Sequence, residues 1–391
     1  NVTLMLQVSA NEHVSSGDIF GISGRHVYSE TPVLEAVAVK NLSATVVEPF
    51  LDILTVQCDT GTDDSVVYQA GDQLNCQATF AHGVGSLSPA FGCALDIVLS
   101  DDFSFDVDDD TNFEARVTGV GAVSTTISMS TAAHSGEYHS LHVLVDELPI
   151  GSTAVIDFSI RILDTAALGE LLTVHDNVTL AWQSRSLYVE EPGADTRLYF
   201  TSFSTFVDNL NTVMIDSPTL TLFLNTSSLT STAQGIADDS AVAVGIGETL
   251  QFVATVAVPQ GSTNLTWSMQ LPTTAVSLQV LDVAVLNFGG NIVFADNNVR
   301  GSGATNHTLP GDTVLTLAFG DLQNQQDGTH NNDAIIVSIS VRVNDQAGNV
   351  DSGTFEGVVA TITFGPVAGQ YRSDESDTFK LEIGEPLLRA S

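Results

Sequence analysis

Apolar and polar residues alternate with a period of two along several stretches of this chain. The alternation is clear in "AGDQLNCQATFAH" at 70–82, "CALDIVLSDDFSF" at 93–105 and "GSTAVIDFSIRILDTA" at 151–166. A period of two places successive side chains on opposite faces of a β-strand, so each stretch predicts a strand with one buried face. Val, Thr, Ile and Phe dominate the apolar runs, and no stretch shows a 3.6-residue period with helix caps. The pattern predicts an all-β fold of antiparallel β-sandwiches.

A proline joint recurs along the chain. The stretch "VVEPFLDI" around Pro49 is matched by "MIDSPTLTLFL" around Pro218 and by "EIGEPLLRA" around Pro386. The three prolines are almost evenly spaced, since the two intervals between them differ by a single position. Proline at the start of a strand costs no ladder hydrogen bond, so each copy predicts the first strand of a structural unit.

Two further correspondences indicate that one unit is repeated. Gly247 corresponds to Gly71, and "ISVRVNDQA" at 339–347 corresponds to "FSIRILDTA" at 158–166. Both displacements are slightly longer than the interval between the prolines, and displacements that differ by loop-sized insertions are typical of diverged copies. We therefore expect four segments: the C-terminal strands of an incomplete preceding unit, or a donor segment, at 1–47; a β-sandwich repeat with an appended hairpin near 185–216 at 48–216; a second β-sandwich repeat at 217–384; and the first strand of a following unit, or a polymer linker, at 385–391.

The charge balance excludes two classes of partner. The chain has 11 Lys plus Arg against 47 Asp plus Glu, a formal net charge of −36. Such a field repels phosphate backbones and anionic membranes, so we expect no nucleic-acid partner. No apolar run reaches the roughly 18 residues of a membrane helix, so we expect no membrane insertion in this segment. The chain starts with Asn1 and without a signal-peptide pattern, which indicates a mature form or a fragment.

Three cysteines, Cys58, Cys76 and Cys93, lie close together in the sequence. None of them forms a C-x-x-C pair, so the spacing does not indicate a zinc site. Cys76 and Cys93 both fall on the apolar side of alternating stretches, and we predict a disulfide between them. Three buried thiols are the alternative.

Six N-x-Ser/Thr sequons predict N-glycosylation at Asn1, Asn41, Asn177, Asn225, Asn264 and Asn306. About four such matches are expected by chance from this composition, so the excess is small. Together with the abundant Ser and Thr, the sequons favour a secreted surface with covalent N-linked glycans, and O-linked glycans are a further expectation.

An acidic loop follows one predicted strand. It places carboxylate and amide oxygens at alternate positions, at Asp106, Asp108, Asp110 and Asn112. Ca²⁺ takes six to eight oxygen ligands, so these four residues are the candidate calcium ligands and calcium is the candidate cofactor. The alternative is a solvated acidic loop, because an EF-hand glycine and flanking helices are missing.

Catalytic motifs are absent from the sequence. There is no G-x-S-x-G elbow and no H-E-x-x-H, and "GIGETL" at 245–250 leads into a strand and not into the helix of a dinucleotide site. A histidine-rich stretch, His134, Glu137, His139 and His142, could bind zinc or copper. However, His139 and His142 would point to opposite faces of a strand. We expect a protein that is not an enzyme.

Two stretches resemble a family of extracellular repeats. "AGDQLNCQATFAH … ALDIVLSDDFSF" and "GIGETLQFVATVAVPQGSTNLTWSMQLPTTAVSLQVL" are similar to the DUF-eleven-type surface repeats, over roughly 48–184 and 230–365. The motifs that carry the likeness are Gly71-Asp72, Gly247-Glu248 and Leu271-Pro272, while Asp101-Asp102 replaces the Leu-Pro corner in the first unit. The resemblance implies immunoglobulin-like sandwiches in extracellular stalks, fibres or coats.

Three functions fit this sequence. The preferred hypothesis is a structural subunit of an extracellular glycosylated fibre or coat, assembled head-to-tail from copies of itself, with β-strand complementation between subunits as one route. The first alternative is an adhesin or receptor ectodomain whose ligand binding depends on calcium. The second is a surface-layer protein of a halophile, since an acidic, lysine-poor composition suits high salt.

Overall fold

The computed structural model describes the ranges 19–28, 36–45, 47–59, 66–106, 113–118, 125–131, 138–184, 198–203, 212–232, 234–236, 241–272, 277–295, 314–327, 333–345, 356–366 and 371–384. Within these ranges the regular elements are 26 β-strands, paired antiparallel except for one parallel pair. The predicted all-β fold is confirmed. The described residues include no helix that is long and apolar enough to span a bilayer.

The first strands form a separate hairpin. β1 (Ile19–Tyr28) and β2 (Ala36–Thr45) pair with each other in a two-stranded sheet. The stretches at 1–18 and 385–391 lie outside the described residues. The expectations that 1–47 holds the C-terminal strands of an incomplete preceding unit, or a donor segment, and that 385–391 begins a following unit or a linker stay predictions.

The first sandwich packs two five-stranded sheets face to face. One sheet has the order β3-β4-β10-β6, with β7 also on β10, and the other has the order β13-β12-β5-β9-β8. A small third sheet pairs β11 with β14. The strands are β3 (Leu51–Cys58), β4 (Gln73–His82), β5 (Ala90–Leu99), β6 (Phe103–Phe105), β7 (Phe113–Thr118), β8 (Thr125–Thr131), β9 (Tyr138–Leu148), β10 (Thr153–Ile162), β11 (Leu171–Thr173), β12 (His175–Gln183), β13 (Leu198–Phe203) and β14 (Thr212–Met214).

The second sandwich repeats this plan. Its sheets have the orders β16-β15-β18-β23-β20 and β17-β26-β24-β19-β22-β21, with β25 on β24. Its strands are β15 (Thr219–Ser227), β16 (Gly235–Ile236), β17 (Ala241–Val244), β18 (Thr249–Val258), β19 (Gly261–Gln270), β20 (Leu278–Phe288), β21 (Ile292–Phe294), β22 (Val314–Asn324), β23 (Asp333–Val343), β24 (Glu356–Gly365), β25 (Arg372–Glu375) and β26 (Phe379–Ile383).

The two sandwiches share strand order, and their central strand pairs share register. The run β3-β4-β10 corresponds to β15-β18-β23, and β12-β5-β9-β8 corresponds to β24-β19-β22-β21. Asn75 lies opposite Ser159 in the first sandwich, and Gln251 lies opposite Ser340 in the second. The sequence interval from Asn75 to Gln251 equals the interval from Gly71 to Gly247. Ser340 occupies the same position in "ISVRVNDQA" as Ser159 does in "FSIRILDTA". The repeat therefore extends to individual residue pairs.

Alternation builds the core. In β4 and in β18 every second residue is buried, and the inward side chains are Leu74, Cys76, Ala78 and Phe80 in β4 and Leu250, Phe252, Ala254 and Val256 in β18. The buried side chains of both sandwiches form one continuous hydrophobic cluster. Burial of this apolar surface is the main stabilising contribution to each sandwich.

The predicted Cys76–Cys93 disulfide is wrong. Cys76 is bonded to Cys58, which lies directly opposite it on the neighbouring strand β3, with a Cα–Cα distance of 3.9 Å. Cys93 lies on β5 in the facing sheet and is a buried free thiol. Periodicity showed correctly that both residues face the core, but it does not identify which strands are neighbours.

The predicted appended hairpin near 185–216 also needs correction for its described residues. β13 extends the second sheet by pairing with β12, and β14 pairs with β11. The two strands of this stretch are thus parts of different sheets, since each finds an open strand edge on the sandwich itself.

The chain enters and leaves each sandwich at opposite ends. In the first, β3 begins beside the end of β4, with Leu51 opposite His82, and the chain leaves after Asp216, whose amide donates to Tyr68 just before β4. We call these the leading end and the trailing end.

The second sandwich follows the same rule. β15 begins beside the end of β18, with Leu220 opposite Val256, and the last described residue, Gly384, donates its amide to Val244 just before β18. The trailing end of the first sandwich meets the leading end of the second. The two sandwiches therefore follow one another in line.

Candidate functional site at the junction of the two sandwiches

Backbone hydrogen bonds join the two sandwiches. The amide of Leu168 donates to the carbonyl of Ser262 at 2.9 Å, and the amide of Ser262 donates to Ala166 at 2.9 Å. Beside them, the amide of Ala70 donates to Gln260 at 3.1 Å. The first two bonds form a short parallel bridge between Ala167 and Ser262. Main-chain bonds at several points oppose rotation of one sandwich against the other.

Polar side chains add to this contact. Asp164 accepts a hydrogen bond from the amide of Gln326 at 3.0 Å, and the Ser262 hydroxyl donates to the carbonyl of Thr165 at 2.7 Å. Arg372 and Glu170 approach to 4.0 Å at the surface, where an ion pair contributes little. The orientation of the junction is therefore set by bonds to the backbone.

Two glycines permit the close approach. A Cβ at Gly261 would lie 2.7 Å from Leu168 Cδ2 and 2.8 Å from the carbonyl oxygen of Ala166. A Cβ at Gly169 would lie 2.8 Å from the ring of Phe364. Both glycines also have positive φ, at 139° and 76°. Any larger residue at either position would push the sandwiches apart.

A capped turn at the trailing end contributes to the junction. In the first sandwich Asp72 closes the turn, because its carboxylate accepts from the amide of Gln69 at 2.8 Å and its own amide donates back to Gln69 at 3.2 Å. Gly71, at φ 93°, supplies the left-handed residue. The turn precedes β4 and holds Ala70 against the second sandwich.

The same turn stands at the trailing end of the second sandwich. The carboxylate of Glu248 accepts from the amide of Gly245 at 2.6 Å, and the amide of Glu248 donates to the carbonyl of Gly245 at 3.0 Å. Gly247 has φ 86°. Glu248 also accepts from Thr232 at 2.6 Å and from Ser227. The Gly-Asp and Gly-Glu motifs are thus turn caps in both copies.

A cleft of about 500 Å³ opens beside the junction. Residues of both sandwiches line it, among them Asp102, Thr165, Ser262, Asp321 and Gln323. Burial raises the pKa of Asp102, the hydrogen bond with Thr165 opposes that rise, and the neighbouring Asp101 adds to it. Among the described residues, no three His, Cys, Asp or Glu side chains lie close enough to hold a metal ion.

The candidate calcium ligands are described only in part. Asp106 is buried, its carboxylate accepts from the Gln73 side chain, and its amide donates to Ser159 at 3.0 Å. Asp108, Asp110 and Asn112 lie outside the described residues. Calcium binding at this loop stays a prediction.

The sequons differ in their surroundings. Asn177 and Asn225 are exposed, and the Asn225 amide donates to Gln251 at 3.1 Å. Asn264 is half-buried beside the cleft, and its amide donates to Asp321 at 2.6 Å. Asn41 lies in β2, while Asn1 and Asn306 lie outside the described residues. Glycosylation stays a prediction at all six.

The histidine-rich stretch is only partly described. His142 on β9 pairs with Asp96 at 2.6 Å, while His139 stands three positions earlier on the strand, where alternation points it to the other face. His134 and Glu137 lie outside the described residues.

Sequence reasoning missed the junction. Its most buried members, Ala166 and Leu168, lie between strands, where period-two patterns give no information. The available signal was an apolar, small-residue run at 166–169 following β10. Such a run in a connecting segment indicates contact with another unit.

Comparisons with known proteins assign no family to the chain. No family model matches it, and no curated protein matches it significantly. The likeness to DUF-eleven-type repeats therefore stays a prediction.

Several solved structures are similar at low identity. The MSCRAMM ACE of Enterococcus faecalis is 11% identical, with a TM-score of 0.21, over 85% of this chain and 95% of that one. The RrgB pilus protein of Streptococcus pneumoniae is 11% identical, with a TM-score of 0.23, over 96% and 48%. The CupB6 tip adhesin of Pseudomonas aeruginosa is 10% identical, with a TM-score of 0.27, over 87% and 99%. TM-scores this low carry no argument, and the fold rests on the strand pairing described above.

Proposed function

We propose that this chain is a non-catalytic structural module of an extracellular fibre, stalk or coat. The observation that carries the proposal is the in-line junction. The chain enters the first sandwich at its leading end, crosses a hydrogen-bonded contact, and leaves the second sandwich at its trailing end. A unit with that path can be repeated in a row without crossing itself.

The stiffness of the junction supports a spacer role. Domains joined only by a linker move relative to one another, unless the contact between them is extensive and well packed. Here Ala166 and Leu168 are fully buried at the junction, and the backbone of Ser262 is bonded on both sides. With strands rising about 3.3 Å per residue, the two sandwiches in line span roughly 80 Å.

Location and surface follow from two other features. The Cys58–Cys76 disulfide suits an oxidising compartment, which favours an extracellular position. A net charge of −36 keeps such modules soluble and apart from one another at low salt. N-linked glycans on exposed residues such as Asn177 and Asn225 would extend the same surface.

Electron microscopy of the purified chain tests this proposal. We expect straight particles of two lobes in line, with one dominant angle between the lobes. Particles whose lobes adopt many angles, or that fold back on themselves, would overturn the spacer role.

One observation favours an adhesin as the second candidate. The cleft beside the junction exposes polar atoms of both sandwiches, such as those of Thr165 and Gln323. Titration calorimetry with calcium separates the candidates: binding heat and a raised melting temperature would favour a calcium-dependent adhesin, and their absence would remove that version.

A further inference from the structure

The trailing end of the second sandwich exposes residues whose counterparts in the first sandwich are buried in the junction. Ala70 and Ile246 occupy corresponding positions, because each directly precedes the glycine of its turn, Gly71 or Gly247. Ala70 is only 1% exposed, whereas Ile246 is 43% exposed. Asp164, which accepts from Gln326 across the junction, corresponds to Asp345 in the matched stretches, and Asp345 is exposed. In the first sandwich, the trailing end is covered by the second sandwich, and the corresponding residues are buried or hydrogen-bonded there.

A groove lies at this open end. It measures about 620 Å³ and is lined by apolar residues such as Leu229, Val244 and Ile246 and by the hydroxyl residues Ser231 and Thr232. Leu229 and Ile246 are large apolar side chains that remain exposed there. Exposed apolar side chains grouped around a groove are typical of a contact surface.

The leading end of the first sandwich is apolar as well. The β4–β5 turn carries Val84, which is fully exposed, and Leu87, while the β9–β10 turn carries Ile150. In the second sandwich the corresponding turns, β18–β19 and β22–β23, carry Gln260 and Gln326, which bond to the first sandwich. The exposed turns of the first sandwich therefore occupy the same positions in the fold as the turns of the second sandwich that form the junction.

We infer that the leading end of the first sandwich docks into the groove at the trailing end of the second sandwich of another copy of this chain. The contact repeats the internal junction between chains. The β4–β5 turn with Val84 approaches Ile246 as the turn with Gln260 approaches Ala70, and the backbone of the β9–β10 turn approaches Asp345 as that of Gln326 approaches Asp164. Because the two surfaces are different, the contact is heterologous and extends into an open filament. This inference rests on the proposed structural function and names its partner as a second copy.

Charge sets the conditions for docking. Two chains that each carry −36 repel one another, and salt screens that repulsion within a Debye length of about 10 Å at 0.1 M. An apolar contact between like-charged chains therefore strengthens as salt rises, whereas a contact made by ion pairs weakens.

Sedimentation velocity of the full chain tests the inference, at rising protein concentration and between about 50 and about 500 mM salt. We expect wild-type oligomers that grow with both. Ile246→Asp in the groove and Val84→Asp in the turn each weaken association by about tenfold or more. Leu286→Asp, an exposed residue on the β20 edge, is the matched control and leaves association unchanged.

Mixing the two variants gives the sharpest readout. The Ile246→Asp chain keeps its leading end and the Val84→Asp chain keeps its trailing end, so an equimolar mixture forms one-to-one dimers that cannot grow. A mixture that stays monomeric, or an equal loss in the control, overturns the docking contact. Thermal melting of each variant establishes that it is folded.

The two proposals fail differently. If the wild-type chain is a straight two-lobed particle that stays monomeric under every condition, the docking contact is wrong and the spacer role stands. If the single chain is not extended, the spacer role is wrong whatever the state of association.

Discussion

The backbone amide of Ser262 donates a hydrogen bond to the carbonyl oxygen of Ala166 at 2.9 Å, across the boundary between two sandwiches. The carbonyl of Ser262 accepts from Leu168 at the same distance, so one residue of β19 is held on both sides by a connecting segment of the other sandwich. This strand-like pairing between the units fixes their relative orientation. The in-line arrangement depends on this contact.

Substituting Gly261 tests the close approach at that contact. The side chain in Gly261→Val meets Leu168 Cδ2 and the Ala166 carbonyl at 2.7 and 2.8 Å, so we expect a destabilisation of about 2 kcal/mol or more. We also expect the two sandwiches to unfold in separate calorimetric transitions. Gly235→Val is the matched control, because Gly235 also has a positive φ, at 159°, while no atom lies within 4 Å of its Cβ position. A single transition with unchanged stability in Gly261→Val would contradict the role of this glycine.

The disulfide predicts a specific pattern of thiol reactivity. Cys58 and Cys76 are bonded, and burial raises the pKa of the Cys93 thiol to about 12. We expect no reactive thiol in the native chain and one in the unfolded, unreduced chain, measured by thiol titration. With a sequence separation of 18 between the bonded cysteines, replacing both by Ser lowers the free energy of unfolding by roughly 3 kcal/mol. A peptide map that links Cys93 to either cysteine would contradict the structure.

His175 predicts a loss of stability in acid. Burial lowers its pKa to about 4 from the model-peptide value of 6.5. Between these values the unfolded chain binds a proton that the folded chain does not, so the stability present above pH 6.5 falls as pH drops and levels off below about pH 4. The total loss is roughly 3 kcal/mol.

Urea unfolding as a function of pH measures this effect. The carboxylates of the chain add their own acid dependence, so the difference between wild type and His175→Asn isolates the histidine. We expect a shallower slope in the variant between pH 4 and 6.5. Identical slopes would show that His175 is not held neutral by burial.

The two turn caps predict unequal costs at matching positions. Glu248 is buried and accepts hydrogen bonds from Gly245, Thr232 and Ser227, whereas the Asp72 carboxylate is half-exposed and caps Gln69. Glu248→Ala leaves buried donors unpaired, and we expect it to cost roughly 3 kcal/mol against roughly 1 kcal/mol for Asp72→Ala. Chemical denaturation measures both. Equal costs would mean that the caps act only locally in each turn.

Much of the fold could be predicted from the sequence. Alternation identified the strands around Cys76 and Ser159, and the repeat read from the sequence reappears as the matched pairs Asn75–Ser159 and Gln251–Ser340. Such predictions succeed because the face on which a side chain lies, and the register of a strand pair, depend on the local pattern of apolar residues in each strand.

The rest depends on which segments meet in space. Cys58 pairs with Cys76 because β3 lies beside β4, and periodicity cannot supply that adjacency. The junction brings Ala166 to Ser262, which is distant in the chain, through connecting segments without a periodic pattern. Asp106, a candidate calcium ligand in the sequence, accepts from Gln73 and donates its amide to Ser159, and local periodicity indicates neither contact.

Small-angle X-ray scattering of the wild-type chain, at low salt and low concentration, tests the in-line arrangement most directly. Two sandwiches in line predict a maximum dimension of roughly 80 Å or more and a radius of gyration above roughly 25 Å, with a cross-section of a single sandwich. A radius of gyration of about 21 Å, which is the value for a compact globule of this chain length, would contradict the account.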